Sequence, residues 1–317
     1  MCFGTIRALR KAGLLGLNRR NAQYTLVHNP RRQYPLVDDK LRTKRLAVEA
    51  GLAVPALLGV VETEVQIRRH LHVFLESHDD FVIKPSRGSG GNGILIVAGR
   101  SKQLYRKIGG DLLETAALGY HVSNILSGMY SLGGQPDRAM IEERVHFDPV
   151  FETVLYQGVP DIRIIVFLGV PVMAMVRLPT RLSGGRANLH QGAIGAGIDM
   201  AAGTTLAGVW RNEIISEHPD TGNRIDGIAV PGWPKLLEMA ARCHELTGLG
   251  YLGVDLVLDR DRGPLILELN ARPGLAIQLA NRAGLRFRLD MVEKAAPRLG
   301  GIGTRVGFAR ERFSVTP

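Results

Sequence analysis

Short runs of alternating apolar and polar positions divide the chain into many strands and a few helices. Phe81-Val82-Ile83-Lys84-Pro85 and Ile94-Leu95-Ile96-Val97 read as two strands separated by a glycine loop. Ala139–Val145 is a further strand running toward a turn at Asp148-Pro149. The apolar runs from Asp161 to Phe167 and from Val170 to Arg177 flank Leu168-Gly169 and predict a hairpin. Tyr251–Leu258 and Pro264–Leu269 predict a second one, turning near Asp261/Arg262. Helical spacing is seen from Asp38 to Gly51, through residues 101–130, and from Pro234 to Thr247, where Gly248 and Gly250 supply a stop. The Gly-, Asn- and Ser-rich segment from Ser183 to Gly197 reads as a loop, and the segment from Gly300 as a loose polar tail.

Composition narrows the class. The chain has 317 residues, 45% hydrophobic and 22% charged, which is ordinary for a globular protein. No apolar run approaches the roughly 18 residues expected of a membrane span. Two distant cysteines, Cys2 and Cys243, make neither a disulfide framework nor a metal cluster. With no signal-peptide pattern at the start, the expected location is cytoplasmic, at most peripheral to a membrane. The formal charge of +10 is concentrated at one end: residues 1–45 hold 11 Lys/Arg against Asp38 and Asp39. There Phe3, Ile6, Leu9, Leu14, Leu15 and Leu17 interleave with Arg7, Arg10, Lys11, Arg19 and Arg20. Two readings follow: an amphipathic arm for an anionic surface or protein partner, or a helix packed on the body with a solvated basic face. Nucleic acid is not an expected partner, since aromatics are 6% of the chain and neither an RNP motif nor zinc-finger spacing appears.

The second hairpin carries candidate chemistry. A symmetric hairpin sets Asp255 directly opposite Glu268, and strand alternation puts Asn270 on the face of Glu268. Facing carboxylates repel. A divalent cation removes that penalty, and two carboxylates with an amide oxygen suit Mg²⁺ completed by phosphates and water. The alternative is a solvated edge hairpin with incidental acids, but the flanking Leu, Val and Ile argue for burial.

The glycine loop is the other candidate. Gly88-Ser89-Gly90-Gly91-Asn92-Gly93 formally fits G-x-G-x-x-G, yet a strand follows it instead of a helix, and no Gly-Lys-Ser/Thr closes it. It fits better a hairpin that folds over a triphosphate through backbone N–H groups and Ser89, with Lys84 upstream as a point charge. A surface hairpin with a mobile tip is the plainer alternative.

Lys40, Lys84, the glycine loop, Ile141-Glu142-Glu143-Arg144-Val145, Asp255 and Glu268-x-Asn270 occur in the order seen in the ATP-grasp superfamily, which the chain resembles from about Asp38 to Leu275. Within it, Asp161-Ile162-Arg163, Asn188-Leu189-His190-Gln191-Gly192 and Glu268-Leu269-Asn270-Ala271-Arg272-Pro273-Gly274 resemble the alpha-L-glutamate ligase group typified by RimK. Asn18-Arg19-Arg20-Asn21 and Val37-Asp38-Asp39-Lys40 are similar to its glutamate ligase-like branch. The resemblance implies an α+β ATP-grasp fold, with two α/β subdomains clasping ATP. The expected layout is a basic arm (1–39), an N-terminal subdomain with the lid loop (40–147), a C-terminal metal-binding subdomain (148–300) and a tail (301–317). It implies ATP binding by Lys40, Lys84, Ser89, Gly90 and Gly91, an adenine hinge at Glu142, Glu143, Arg144 and Val145, and Asp148 at the ribose. Asp255, Glu268 and Asn270 would hold one or two Mg²⁺, with Mn²⁺ as a substitute. Arg163, Arg177 and Arg272 would face the substrate carboxylate or the transferring phosphoryl group, and Asn188 and His190 would lie in a closing loop. Only 39 residues precede Lys40, where related ligases carry a substantial domain.

The expected activity is ATP-dependent joining of a small-molecule or peptide carboxylate to an amine through an acyl phosphate. Glutamate or another amino acid is the unit implied by the resemblance. A phosphotransferase acting on a hydroxyl and a non-catalytic nucleotide-binding protein are the alternatives.

Overall fold

Two antiparallel sheets, each covered by helices, organise the chain, and each belongs to its own unit. The structure, a computed structural model, describes residues 2–88, 90–102 and 104–314. One unit comprises residues 39–45 and 54–146; the other comprises residues 1–38, 46–53 and 147–317.

The first of these units contains β1 (Leu57–Val61), β2 (Phe81–Pro85), β3 (Leu95–Ser101), β4 (Leu104–Lys107), β5 (Leu112–Leu113) and β6 (Ala139–Glu142), in the order β1-β6-β2-β3-β4-β5. Alternate residues of its strands, such as Phe81 and Ile83, point to one face. The helix Thr115–Leu126 meets that face with Leu118, Val122 and Ile125, which share one helical stripe. A second helical stretch adds Leu71 and Leu75 to the same core. It opens with a capping box in which the Thr63 hydroxyl accepts from the Gln66 N–H and the Gln66 amide oxygen accepts from the Thr63 N–H. Residues 101–130 are therefore not mainly helical: β4 and β5 occupy the first part. Gly110, at φ +96°, turns the chain between them, and the Lys107 N–H donates to the Asp111 carbonyl. Tyr105, fully buried, anchors that hairpin to the core.

The other unit holds β7 (Asp161–Phe167), β8 (Val170–Leu178), β9 (Ile194–Ile198), β10 (Thr205–Trp210), β11 (Glu213–Ile215), β12 (Tyr251–Asp259) and β13 (Gly263–Asn270), in the order β11-β10-β9-β8-β7-β12-β13. Both predicted hairpins form. Leu168 and Gly169, both at positive φ, turn β7 into β8, with Phe167 paired to Val170. The expected loop Ser183–Gly197 is partly strand, because β9 claims its end and pairs with β8. Strands β7, β8 and β12 are buried almost throughout, and the helix Trp233–Thr247 packs on them with Leu236, Leu237, Ala240 and Ala241.

Both ends of the chain join this unit. Arg20 sends its guanidinium to the carbonyls of Pro273 (2.8 Å) and Arg272 (3.3 Å). Asn29 donates to the carbonyls of Tyr251 (2.6 Å) and Ala271 (2.9 Å) and accepts from the Tyr251 N–H (2.8 Å). Leu15 exchanges two hydrogen bonds with the Gln278 carboxamide. The arm is thus held on its unit at Gly13, Leu15, Arg20 and Asn29. The preceding helix Cys2–Lys11 is exposed at Arg7, Ala8, Leu9, Arg10 and Lys11. The segment expected to be a loose tail forms a helix, Ile302–Arg312, that buries Val306, Ala309 and, just after it, Phe313; Arg305 pairs with Glu245. Its apolar residues are few but fall on one stripe, and this is what packs a polar-looking segment. No helix among the described residues is long and apolar enough to cross a membrane.

Phe313 is 1% exposed, sits edge-on to Phe308 and lies under the Arg288 guanidinium. Phe313→Ala is expected to cost about 3–5 kcal/mol, read as a lower urea midpoint. A change below about 0.5 kcal/mol would show that the terminal helix does not contribute to the core.

Candidate active site

Antiparallel pairing lines up charged side chains on one face of the seven-stranded sheet. Asp255 on β12 is paired with Glu268 on β13 and with Arg163 on β7; Asp161 on β7 is paired with Arg177 on β8. Directly paired residues share a face, and positions two apart along a strand return to it. Three acids and two arginines therefore share one face of four adjacent strands, with Glu268 and Asp255 side by side.

The row is closely bonded. Arg163 grips Asp255 with both ends of its fork, Nε to Oδ1 at 2.7 Å and Nη2 to Oδ2 at 2.5 Å. Arg177 grips Asp161 in the same bidentate way and reaches Asp255 Oδ2 at 3.0 Å. The Asn270 carboxamide lies 3.3 Å from the same oxygen. Burial raises the cost of charge on Asp255, but the two guanidiniums outweigh it and hold the carboxyl below its usual range. Asp161 goes the other way: burial pushes it up, and the nearby Asp255 charge adds to this against the pull of Arg177. Asp161 and its bond to Arg177 had no counterpart among the sequence candidates. The only signal was its place two residues before Arg163, on the same strand face.

Asp255, Glu268 and Asn270 offer oxygen ligands only, which fits Mg²⁺ or Mn²⁺. Asp255 is buried, whereas Glu268 and Asn270 are half-exposed, so the set is closed at its base and open beside it. Among the described residues no three His, Cys, Asp or Glu side chains gather for a metal. An ion here would depend on the Asn270 carboxamide beside the two acids.

The unit built on the six-stranded sheet has its own buried charge cluster. Glu142, at the end of β6 and 3% exposed, accepts ion pairs from Lys84 on β2 (2.6 Å) and from Lys44 (2.8 Å). Burial works to raise its pKa, yet the two ammonium groups hold it below the usual carboxylate range. Glu142 is thus a buried counter-charge for Lys84. Lys44, which also donates to the Pro55 carbonyl, had not been singled out in the sequence. It stands one helical turn after Lys40.

Lys40 donates to the Gly88 carbonyl, which ties it to the start of the glycine loop. Gly90 and Gly91 take φ of +64° and +78°, and Gly93 takes +74° with the Tyr130 ring where a Cβ would be. The loop thus requires its glycines for backbone reasons. Ser89 lies outside the described residues. After Glu142 the strand ends: Glu143 is exposed, Val145 is buried, and Arg144 turns its side chain to Asp80 at 2.9 Å. Asp148 accepts from the Val150 N–H at 2.9 Å and caps the 3₁₀ helix Pro149–Val154.

Three expected substrate residues lie outside the charged row. The Asn188 side chain accepts from the His190 N–H at 3.0 Å and shapes its own turn, while His190 is exposed. The Gly192 carbonyl in the same loop is held by Thr180 and Trp210. Arg272 is exposed, with its guanidinium 5.2 Å from the centre of the Tyr34 ring.

The ATP-grasp ligase PsnB in complex with a minimal precursor is similar at 18% identity and TM-score 0.45, covering 85% of this chain and 63% of that one. The chain therefore spans less than two thirds of PsnB. D-alanine–D-alanine ligase from Bacillus anthracis is similar at 14% identity and TM-score 0.46, covering 84% of this chain and 69% of that one. D-cycloserine synthetase DcsG is similar at 17% identity and TM-score 0.43, covering 86% and 73%. No curated protein matches the chain. The model of the family described as "Sugar-transfer associated ATP-grasp" matches residues 19–294, most of the chain, and the protein belongs to that ATP-grasp family.

Proposed function

We propose that the chain is an ATP- and Mg²⁺-dependent ligase that joins a carboxylate to an amine, with release of ADP and phosphate. The observation that carries this reading is the row Glu268–Asp255–Arg163, extended by Asp161 and Arg177, on one sheet face. It combines oxygen ligands for a cation with two guanidiniums suited to planar carboxylate or phosphoryl groups.

In this reading a substrate carboxylate oxygen attacks the γ-phosphorus of ATP, the bond to the β-phosphate oxygen breaks, and ADP leaves. The amine nitrogen then attacks the acyl carbon, phosphate departs with the bonding pair, and the nitrogen gives up a proton. The bound cation supplies neutralisation of phosphate charge. Arg163 and Arg177 orient the acid and stabilise charge that builds on the phosphoryl oxygens. Lys84, held by Glu142, and Lys40 supply fixed positive charge for phosphates, and the backbone of the Gly90–Gly91 turn supplies N–H donors. Glu143, Arg144 and Val145 serve the adenine through their backbone, and Asp148 serves the ribose. Asn188, His190 and Arg272 belong to the substrate side. The acid or amine partner is a small molecule or a peptide, with glutamate addition in the manner of the RimK group as the specific form. The exposed residues Arg7, Arg10 and Lys11 support an anionic surface or protein partner for the arm.

Trapping with hydroxylamine tests the reaction class. ATP-dependent hydroxamate from a panel of carboxylic acids is the expected result; a stable phosphoester instead would assign a phosphotransferase. Glu268→Gln is expected to keep the fold and lower turnover about 10²- to 10³-fold, and unchanged turnover would remove Glu268 from the site.

Glu142→Gln leaves Lys84 and Lys44 buried without their counter-charge and is expected to cost about 3–5 kcal/mol. Because the Glu142 pKa is depressed in the folded state, its contribution is present above the unfolded value, near 4.3, and is lost as pH falls through the folded one. Urea titrations at a series of pH values should therefore show a flatter acid-side decline in the variant. An identical decline would mean that Glu142 is not held down by its lysines.

A further inference from the structure

The Asp255 Oδ2 atom is crowded. A carboxylate oxygen offers about two lone-pair directions, and three donors share Oδ2, namely Arg163 Nη2, Arg177 Nη2 and Asn270 Nδ2, while Arg163 Nε alone reaches Oδ1. A cation that takes Oδ2 as a ligand must displace donors from it. The two arginines are not equally held. Arg163 makes its charged contacts at 2.5 and 2.7 Å and both go to Asp255. Arg177 spends both ends of its fork on Asp161, and its reach to Asp255 is a single contact of 3.0 Å, made by the same Nη2 that already serves Asp161 Oδ2. Of the charged contacts on Asp255, the one from Arg177 is the longest, and it is the only one whose donor keeps a full carboxylate partner after release.

We infer that Asp161 is a positioning residue that holds Arg177 in reserve, so that Asp255 can exchange this guanidinium for a divalent cation. The inference rests on the proposed metal role of Asp255. Without Asp161, the Arg177 fork would have Asp255 as its nearest carboxylate and would compete with the cation for it. With Asp161 in place, the exchange leaves no buried guanidinium unpaired, which otherwise costs several kcal/mol. A purely structural Asp161 would neutralise Arg177 and leave cation affinity untouched. A purely through-space effect of its charge would act on the cation whether or not Arg177 is present. A double-mutant cycle separates these cases.

The measurement is Mn²⁺ binding to the full chain with saturating ADP, followed by loss of the free-ion electron paramagnetic resonance signal. Asp161→Asn is expected to weaken Mn²⁺ about tenfold, while Arg177→Met binds it at least as tightly as the wild type. In the Arg177→Met background, Asp161→Asn is expected to have no further effect. Equal affinity of Asp161→Asn and wild type would overturn the inference alone, as would a tenfold loss that persists without Arg177. Should Asp161→Asn not fold, weaker Mn²⁺ binding by Arg177→Met would overturn it by itself. Failure of the wild type to bind Mn²⁺ would remove the metal role and this inference together.

Discussion

A carboxylate cannot be taken out of water without compensation, and this constraint governs the larger sheet. Asp255 is 5% exposed in the middle of a strand whose other residues, up to Asp259 at its end, are Leu, Val, Gly and Tyr. Burying its charge unaided would cost several kcal/mol or protonate it. The fold answers with arginines from the next two strands, and Asp161 answers the second arginine in turn. The result is a neutral group of two acids and two bases inside an apolar sheet. The smaller sheet meets the same constraint with Glu142 between Lys44 and Lys84. In both places a charge suited to phosphates or cations is kept ionised by a buried partner of opposite sign.

The parts of this arrangement that follow local rules were legible from the residues. Strand alternation and a symmetric turn placed Asp255 across from Glu268, and the structure has that register. The Leu168-Gly169 hairpin and the helix ending at Gly248 were equally plain, because turn glycines mark them. What escaped was nonlocal or weakly patterned. The partnership of Lys44 with Glu142 spans almost a hundred positions and has no periodic signature. β4 and β5 are too short to show alternation, and their Gly109-Gly110 turn was absorbed into a supposed helix. The helix Ile302–Arg312 carries so little apolar surface that only its packing against the body explains it. Bidentate pairing of Arg177 with Asp161 depends on the register of the β7–β8 hairpin over its full length, far from the turn that marks it.

The link between Asn29 and Tyr251 has a further consequence, which concerns the order in which the chain becomes available during synthesis. The Asn29 carboxamide substitutes for a neighbouring strand: it donates to the Tyr251 carbonyl and accepts from the Tyr251 N–H, as a ladder partner would. Leu15 and Arg20 likewise find their partners at Gln278 and at Arg272 and Pro273. Every one of those partners is made more than 200 residues after the arm residue it holds. The six-stranded sheet draws all its strands from one continuous stretch and can close while translation is still under way. The seven-stranded sheet must wait, with its basic N-terminal arm unpaired, until the last third of the chain arrives. Nascent chains stalled before residue 250 would therefore present a finished small unit beside an arm still open to nascent-chain chaperones.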